Sequence, residues 1–379
     1  MRSKNARASR GAIVRAARRA MRRAGSLLPA VAVSLALIVG LAACAGAPQG
    51  SGAAVSSGAE DAKGADAPAP SPVTVRVASL KGPTSIGLVS FMEQAKQNGS
   101  GLVNSYDFTV AGTADAIVPD IVRGETDIAL VPANIASVLY ARTGGGVQVL
   151  GVNTLGVLYV VSADSTVTSL DSLAGRTVLM TGKGNTPEYV MAYLLDAAGL
   201  AGSVRLEYKS EATELAAALV ADPTAVAVLP EPYVSSVCAK SPEVSVRLSL
   251  TDEWDRLQGA AVGTGSDAGA GKLVTGVTVA RKEFVAANPH AVAEFLAAQQ
   301  ASVDTVTANP AAASELVVAA GIIDNASVAA AAIPRCNLVC MTGAEAREAL
   351  DGYLAVLFAH DPASVGGALP LGDFYYSGE

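Results

Sequence analysis

Short β-rich apolar runs alternate with helical stretches from residue 73 to residue 250, and this rhythm is the strongest constraint on the fold. Apolar runs bounded by turn residues predict buried strands, and a period near 3.6 residues between them predicts helices. The predicted strands are residues 73–78, 106–111, 127–131, 147–152, 158–162, 177–181, 204–208, 225–229, 244–248 and 272–280. A βαβα order predicts an α/β architecture of doubly wound, mostly parallel sheets with helices on both faces.

The helical part of the pattern becomes dominant towards the C-terminus. The predicted helices are residues 82–97, 113–123, 133–142, 187–198, 211–221, 232–240, 281–287, 289–307, 310–320, 326–333 and 343–358. Residues 259–271 are rich in Gly, Ala and Ser, and therefore predict a loop. We expect a helical C-terminal part to follow the last predicted strand.

The composition excludes several classes of protein. The chain has 27 Lys and Arg against 34 Asp and Glu, and this acidic balance argues against nucleic acid as a partner. Only one stretch, at the N-terminus, resembles a membrane segment, which excludes a polytopic transporter. Two histidines leave little material for a metal site or a His-dependent triad, so we predict neither a metal nor a cofactor.

The N-terminus has the three parts of an export signal. Nine Arg or Lys lie within residues 1–23, an apolar run spans residues 27–43, and Leu-Ala-Ala stands directly before Cys44. This junction resembles the lipobox of bacterial lipoproteins, which implies a signal peptide over 1–43 and acylation of the Cys44 thiol. The alternative is an uncleaved membrane anchor. Either way, we expect the body to be tethered to the cell membrane on its extracytoplasmic face.

A flexible tether is predicted after the lipidation site. Residues 45–72 contain no aromatic residue, and Val55 is their only large aliphatic one, so they cannot bury enough apolar surface to fold. We therefore assign residues 44–72 as a disordered tether. Loss of residues 1–43 changes the net charge from −7 to −16, so any anion site must depend on local donors.

One local unit occurs twice. Residues 122–132 and 220–230 each end a helix, turn, and enter a short strand closed by proline. Ligands of open α/β sheets bind beyond the carboxyl ends of the strands. The segments that begin at Pro132 and Pro230 are therefore predicted to face each other across a cleft. An ordinary βα joint repeated by chance is the alternative.

Five segments carry a family resemblance. Residues 75–84 resemble the first strand and ligand loop of type II periplasmic binding proteins, and residues 123–132 resemble the helix–turn–strand step of that fold. Residues 170–178 resemble its entry to the second lobe. Residues 333–338 and 353–369 resemble the C-terminal segments of nitrate, sulfonate and taurine binders, a group that includes binders of the thiamine pyrimidine precursor.

The resemblance implies two α/β lobes joined by two hinge strands. It assigns residues 73–157 plus 272–379 to lobe one and 164–262 to lobe two, with a hinge and linker region at 158–163 and 263–271. The predicted strands 158–162 and 272–280 become the crossovers. The partners it implies are a small solute and ABC permease subunits, and we expect a monomer.

Two turns are candidate ligand loops, one in each lobe. The first holds Lys81, Gly82, Thr84 and Ser85, and the second holds Gly184, Asn185 and Thr186. Both lie between a strand and a helix, where unpaired N–H groups and hydroxyls can bind an anion or a carbonyl. The alternative is a capped helix with no ligand. The second turn lacks the GxxxxGK[ST] spacing, which excludes nucleotide hydrolysis.

Further candidate residues lie at other strand ends. In lobe one they are Pro132, Ala133, Asn134 and Thr154, and in lobe two Glu231 stands between two prolines. Glu231 is predicted either to accept a bond from a ligand amine or to be a solvated loop acid. Lys183 is expected to be solvated.

The remaining cysteines and histidines receive no catalytic role. Cys238, Cys336 and Cys340 are expected to be buried thiols, although an exported protein can form a disulfide and the sequence leaves this open. His290 and His360 are expected at the surface or at helix ends.

These observations favour capture over catalysis. The sequence predicts a lipid-anchored solute-binding subunit of an ABC importer, which takes an oxyanion, a sulfonate or a small heterocycle between hydroxyls of Thr84 and Thr186. One alternative is an enzyme like the thiamine-pyrimidine synthase of this fold, which consumes its own active-site histidine. A second alternative is an extracellular sensor domain without a transporter.

Overall fold

The computed structural model describes residues 71–97, 101–263 and 271–378. They belong to one compact unit. The predicted signal peptide, Cys44 and the tether up to residue 70 lie outside the described residues. The same is true of residues 264–270, in the predicted linker.

The first sheet has six strands in the order β11-β4-β10-β3-β1-β2. Its strands are β1 (Thr74–Leu80), β2 (Ser105–Ala111), β3 (Ile128–Pro132), β4 (Val147–Leu155), β10 (Val274–Arg281) and β11 (Leu338–Met341). Strand β1 pairs in parallel with β2 and β3, whereas β10 runs antiparallel to β3 and β4. The first four residues of β3 are buried apolar residues, as expected for a strand covered on both faces.

The second sheet has five strands in the order β7-β6-β8-β5-β9. Its strands are β5 (Leu158–Ser162), β6 (Thr177–Met180), β7 (Arg205–Tyr208), β8 (Val226–Pro230) and β9 (Ser245–Ser249). Strand β6 pairs in parallel with β7 and β8, and β5 runs antiparallel to β8 and β9. The repeated unit of the sequence therefore ends in β3 of one sheet and β8 of the other.

Helices cover both sheets. They are α1 (Pro83–Ile86), α2 (Val89–Lys96), α3 (Val118–Arg123), α4 (Ala133–Arg142), α5 (Thr186–Ala197), α6 (Ala212–Ala221), α7 (Tyr233–Lys240), α8 (Leu250–Gly263), α9 (Lys282–Ala287), α10 (Pro289–Ala308), α11 (Pro310–Ala319), α12 (Ala326–Ala332) and α13 (Gly343–His360). The predicted α/β class with a helical C-terminal part is confirmed. No helix in the described part of the chain is long and apolar enough to span a bilayer.

Helix α8 and strand β11 differ from the sequence prediction. The loop predicted from residue 259 is wrong for residues 259–263, which belong to α8. Two buried side chains anchor this helix through hydrogen bonds. The Trp254 indole N–H donates to the carbonyl oxygen of Gly271 at 2.6 Å, and the Gln258 amide donates to the Tyr193 hydroxyl at 3.1 Å. Strand β11, at the edge of the first sheet, was not predicted. It pairs with β4 where Gly151 has no side chain to push against Met341.

The predicted helix over residues 82–97 is two helices. The first ends at Gly87, whose N–H donates to the carbonyl oxygen of Pro83, and α2 begins two residues later. The predicted helix over 113–123 likewise starts as a 3-10 turn, Ala114–Ala116, before α3.

The chain crosses between the sheets twice. It passes from β4 to β5 through Gly156 and Val157, and it returns between α8 and β10. Both strands that were predicted as crossovers are sheet members, β5 of the second sheet and β10 of the first. We therefore use lobe one for residues 71–155 and 271–378, and lobe two for residues 158–263. The hinge role of the two strands stays a prediction.

The first crossing is closely packed at Gly156. A Cβ atom added to Gly156 would lie 2.1 Å from Thr251 Oγ1 and 3.1 Å from Leu273 Cδ2. Asn337 donates its side-chain amide to the Gly156 carbonyl oxygen at 3.1 Å. The first crossing is therefore fitted closely against the first turn of α8 and the residue before β10, and a side chain at this position has no room.

We expect Gly156→Ala to lower the free energy of unfolding by about 1–3 kcal/mol, because overpacking forces its neighbours to move. Chemical denaturation measures the change. The control is Gly259→Ala, where no atom lies within 4 Å of the new Cβ and helix propensity favours alanine. Equal stability of the two variants would contradict close packing at the crossing.

Candidate functional site

A cleft of about 410 Å³ lies between the two lobes. It is lined at the carboxyl ends of β1, β2 and β3 in the first sheet and of β6, β7 and β8 in the second. Pro132 and Pro230, which close the repeated unit in each lobe, both belong to the lining. Strand ends of two open sheets thus converge on one space, which is where α/β proteins bind ligands.

The structure brings seven of the predicted site residues into this lining and leaves five outside it. Those in the lining are Lys81, Gly82, Thr84, Pro132, Thr154, Asn185 and Thr186. Those outside it are Ser85, Ala133, Asn134, Gly184 and Glu231. Their roles as ligand contacts stay predictions. The hydrogen bonds that several of them already make determine which donors and acceptors remain for a solute.

The hydroxyl of Thr84 is bonded to its own loop. It donates to the carbonyl oxygen of Leu80 at 2.9 Å and accepts from the Leu80 N–H at 3.3 Å. Ser85 donates to the same carbonyl oxygen at 2.7 Å and lies 2.6 Å from the Ser79 hydroxyl. Since a hydroxyl has one proton to donate, Thr84 in this state can offer a solute only an acceptor lone pair.

Thr186 is buried and bonded across the cleft. Its hydroxyl donates to Asn134 Oδ1 at 3.3 Å and accepts from the Tyr353 hydroxyl at 3.2 Å. The Asn134 amide donates to the carbonyl oxygens of Gly184 at 3.2 Å and of Ser364 at 3.1 Å. The predicted ligand residues Asn134 and Thr186 therefore bond to each other in this state.

Glu231 lies behind the cleft and not in it. The carboxylate is fully buried and forms an ion pair with the guanidinium of Arg335. It also accepts from the Ser235 N–H at 3.1 Å and the Ser235 hydroxyl at 3.2 Å. The alternative of a solvated loop acid is therefore wrong. Arg335 belongs to lobe one, so this ion pair joins the two lobes.

Thr154 lies in the lining, but its hydroxyl has a protein partner. It donates to Asn153 Oδ1 at 2.8 Å, and the Asn153 amide donates to Thr278 Oγ1 at 3.1 Å. This chain of bonds ties β4 to β10 beneath the cleft. Gly276 makes room for it, since a Cβ there would lie 2.6 Å from Asn153 Oδ1.

Sequence reasoning missed most of the charged residues of the cleft. Lys81, Lys183 and Lys209 belong to the lining, together with Asp115 and Glu211. The ammonium group of Lys183 lies 5.7 Å from the centre of the Tyr208 ring, and that of Lys209 lies 3.9 Å from a Glu214 carboxylate oxygen. Within the described residues, neither Lys81 nor Lys183 forms an ion pair. A usable signal was present, because each lysine follows closely after a strand end.

Two polar atoms of residues in the lining are buried without a hydrogen-bond partner among the described residues. They are Asn185 Oδ1 and Thr275 Oγ1. The Asn185 amide nitrogen donates to the carbonyl oxygen of Lys183 at 3.1 Å, which fixes the orientation of this side chain. Unpaired buried polar atoms are uncommon in folded proteins, and here both belong to the cleft.

The histidines lie away from the cleft. His290 is exposed at the start of α10, and His360 packs edge-on against Tyr193 with ring centres 5.8 Å apart. Within the described ranges, no three His, Cys, Asp or Glu side chains are grouped so that they could hold a metal ion.

Cys238, Cys336 and Cys340 are free thiols. Burial raises the pKa of the Cys340 thiol to about 11 and raises those of the Cys238 and Cys336 thiols as well. A raised pKa keeps a thiol protonated and unreactive at neutral pH.

The stability of the protein tests whether Glu231 is a buried partner of Arg335. We expect Arg335→Met to cost about 3–5 kcal/mol of unfolding free energy, because it leaves a buried carboxylate without its counter-charge. Glu231→Gln should cost less, since the Arg335 side chain is 48% exposed and water can solvate it. Chemical denaturation compares the two. If Glu231→Gln is the more damaging variant, the carboxylate is not held as described.

Two open α/β sheets with one cleft between their strand ends define the type II periplasmic binding fold. The chain belongs to the NMT1/THI5-like family, whose model matches residues 110–313. The predicted resemblance is thereby confirmed. No curated protein sequence matches the chain.

Solved structures share this fold at low sequence identity. An ABC transporter protein of Parabacteroides distasonis is 23% identical, with a TM-score of 0.64 over 80% of this chain and 99% of that one. The aliphatic sulphonate binding protein SsuA of Escherichia coli is 15% identical, with a TM-score of 0.61 over 78% and 94%. The alkanesulfonate-binding protein SsuA of Xanthomonas axonopodis pv. citri, bound to MOPS, is 14% identical, with a TM-score of 0.58 over 80% and 96%.

Proposed function

We propose that the protein is the lipid-anchored, extracytoplasmic solute-binding subunit of an ABC importer, and that it captures a small organic anion between its lobes. The observation that carries this proposal is the single cleft where strand ends of both sheets converge, with a lysine at three of those ends. Binding proteins of this kind close around a solute by a hinge motion.

The charge of the cleft supports an anionic solute. Three lysines and two acids belong to the lining, and two of the lysines have no carboxylate partner among the described residues. Helix α5 also begins in the lining, at Thr186, and the N-terminal end of a helix favours negative charge. The whole chain is acidic, so attraction of an anion has to come from these local groups.

The size and walls of the cleft support an organic solute over a bare oxyanion. A volume of about 410 Å³ is within the usual range for small-molecule sites. Leu80, Val157, Leu158 and Tyr233 supply apolar wall, which a hydrocarbon chain or a small ring can cover. The two SsuA relatives are named for alkanesulfonates and aliphatic sulphonates, so sulfonates are the first class to test.

The cleft lends no support to the synthase alternative. That chemistry consumes a histidine of the active site, and neither His290 nor His360 belongs to the lining. A sensor domain could use the same cleft, and the presence of neighbouring permease and ATPase genes distinguishes a transport subunit from it.

Replacing the two cleft lysines that form no ion pair among the described residues tests whether the solute is an anion. A hydrogen bond to a charged group contributes about 1.5–3 kcal/mol, and a factor of ten in affinity corresponds to about 1.4 kcal/mol. Lys81→Ala and Lys183→Ala should therefore each weaken binding roughly tenfold or more, as measured by calorimetry with MOPS and short alkanesulfonates. The matched control is Lys240→Ala, on the exposed end of α7 outside the cleft.

The outcome that contradicts the anion proposal is wild-type affinity in both cleft variants. Binding of an uncharged pyrimidine in preference to every sulfonate would likewise replace the anion with the heterocycle as the solute class.

Anchoring by lipid depends on Cys44, whose thiol follows Leu-Ala-Ala at the end of the export signal. We expect Cys44→Ala to abolish incorporation of labelled palmitate, because no other cysteine lies beside the cleavage site. Cys238→Ala, in the folded body, is the control and should keep the label. Labelling that persists in the Cys44 variant would show that the protein is not a lipoprotein of this type.

A further inference from the structure

The turn that precedes α5 is bonded to the opposite lobe. Three hydrogen bonds cross from lobe one to this turn: Asn134 to the Gly184 carbonyl oxygen at 3.2 Å, Thr186 to Asn134 at 3.3 Å, and Tyr353 to Thr186 at 3.2 Å. We call these four residues the clasp. The clasp joins α4 and α13 of lobe one to the start of α5 in lobe two.

The clasp is dry. The side chains of Asn134, Thr186 and Tyr353 are all fully buried. Both protons of the Asn134 amide are donated, one to Gly184 and one to the Ser364 carbonyl oxygen of lobe one. The bonds of Thr186 to Asn134 and of Tyr353 to Thr186 are buried, so losing either of them costs more than losing a bond at the surface.

The clasped turn is also the one that brings Lys183 and Asn185 to the cleft. Within lobe two, the Glu188 carboxylate accepts from the Gly184 N–H, while Asn134 of lobe one holds the carbonyl oxygen of the same residue. The turn is thus fixed from both lobes. Apolar residues of α4, α5 and α13 pack in one core beside these bonds.

We propose that Asn134 and Tyr353 are positioning residues, which hold the solute-binding turn of lobe two against lobe one. They act through Thr186 and Gly184 and do not contact the solute. The clasp itself is independent of which solute binds. Only its effect on solute release depends on the function proposed above.

Two substitutions break the clasp to different degrees. Asn134→Asp is nearly isosteric, but it turns a carboxylate oxygen towards the two carbonyl oxygens of Gly184 and Ser364. Tyr353→Phe removes one hydroxyl and keeps the buried ring. The matched control is Tyr106→Phe, a buried tyrosine whose hydroxyl donates to Glu294 at 2.8 Å within lobe one.

Amide hydrogen exchange of the solute-free chain measures the clasp directly. Asn134→Asp should make residues 181–190 exchange on the order of tenfold faster relative to β8 of the same lobe, and Tyr353→Phe should give a smaller change in the same direction. Tyr106→Phe should leave this ratio unchanged.

A wild-type exchange ratio in folded Asn134→Asp overturns the proposal. If that variant does not fold, a wild-type ratio in Tyr353→Phe overturns it. Stopped-flow release of MOPS then adds a separate readout, in which the clasp variants should release the probe faster. If the wild-type chain does not bind MOPS, the proposed solute class is wrong, but the hydrogen-exchange test of the clasp is unaffected.

Discussion

The site depends on one topological constraint: the parallel strands of both sheets end at the same cleft. β1, β2 and β3 supply one wall, and β6, β7 and β8 supply the other. The first chain crossing passes through Gly156, where Thr251 of α8 and Leu273 leave no room for a side chain. The turns after the strand ends carry the polar and charged residues of the cleft.

The sequence predicts much of this fold because the signals involved are local. Alternating apolar runs and helical stretches determine the α/β class, and the two proline-closed units locate the strand ends that face the cleft. Helix α8 escaped prediction because its anchor is not local. Trp254 is held by a carbonyl group 17 residues away, in a segment whose Gly and Ala content indicates a loop.

The candidate site was predicted less well, because the partners of its polar residues are also distant in the sequence. Sequence reasoning assigned Asn134, Thr186 and Glu231 to a solute from their places at strand ends. Their partners come from far along the chain: Thr186 is 52 residues from Asn134 and 167 from Tyr353, and Glu231 is 104 from Arg335. Only tertiary structure reveals that these polar groups join the lobes. The lysines left over then become the strongest candidates for contact with a solute.

The most direct test of this account is mass spectrometry of small molecules released by denaturing the purified protein, set beside a Lys81→Ala/Lys183→Ala double variant. The account predicts one organic anion in near-stoichiometric amount from the wild-type chain and its loss from the variant. Release of a neutral or cationic solute, or equal release of the anion from both proteins, would contradict the claim that the lysines of this cleft capture an anion.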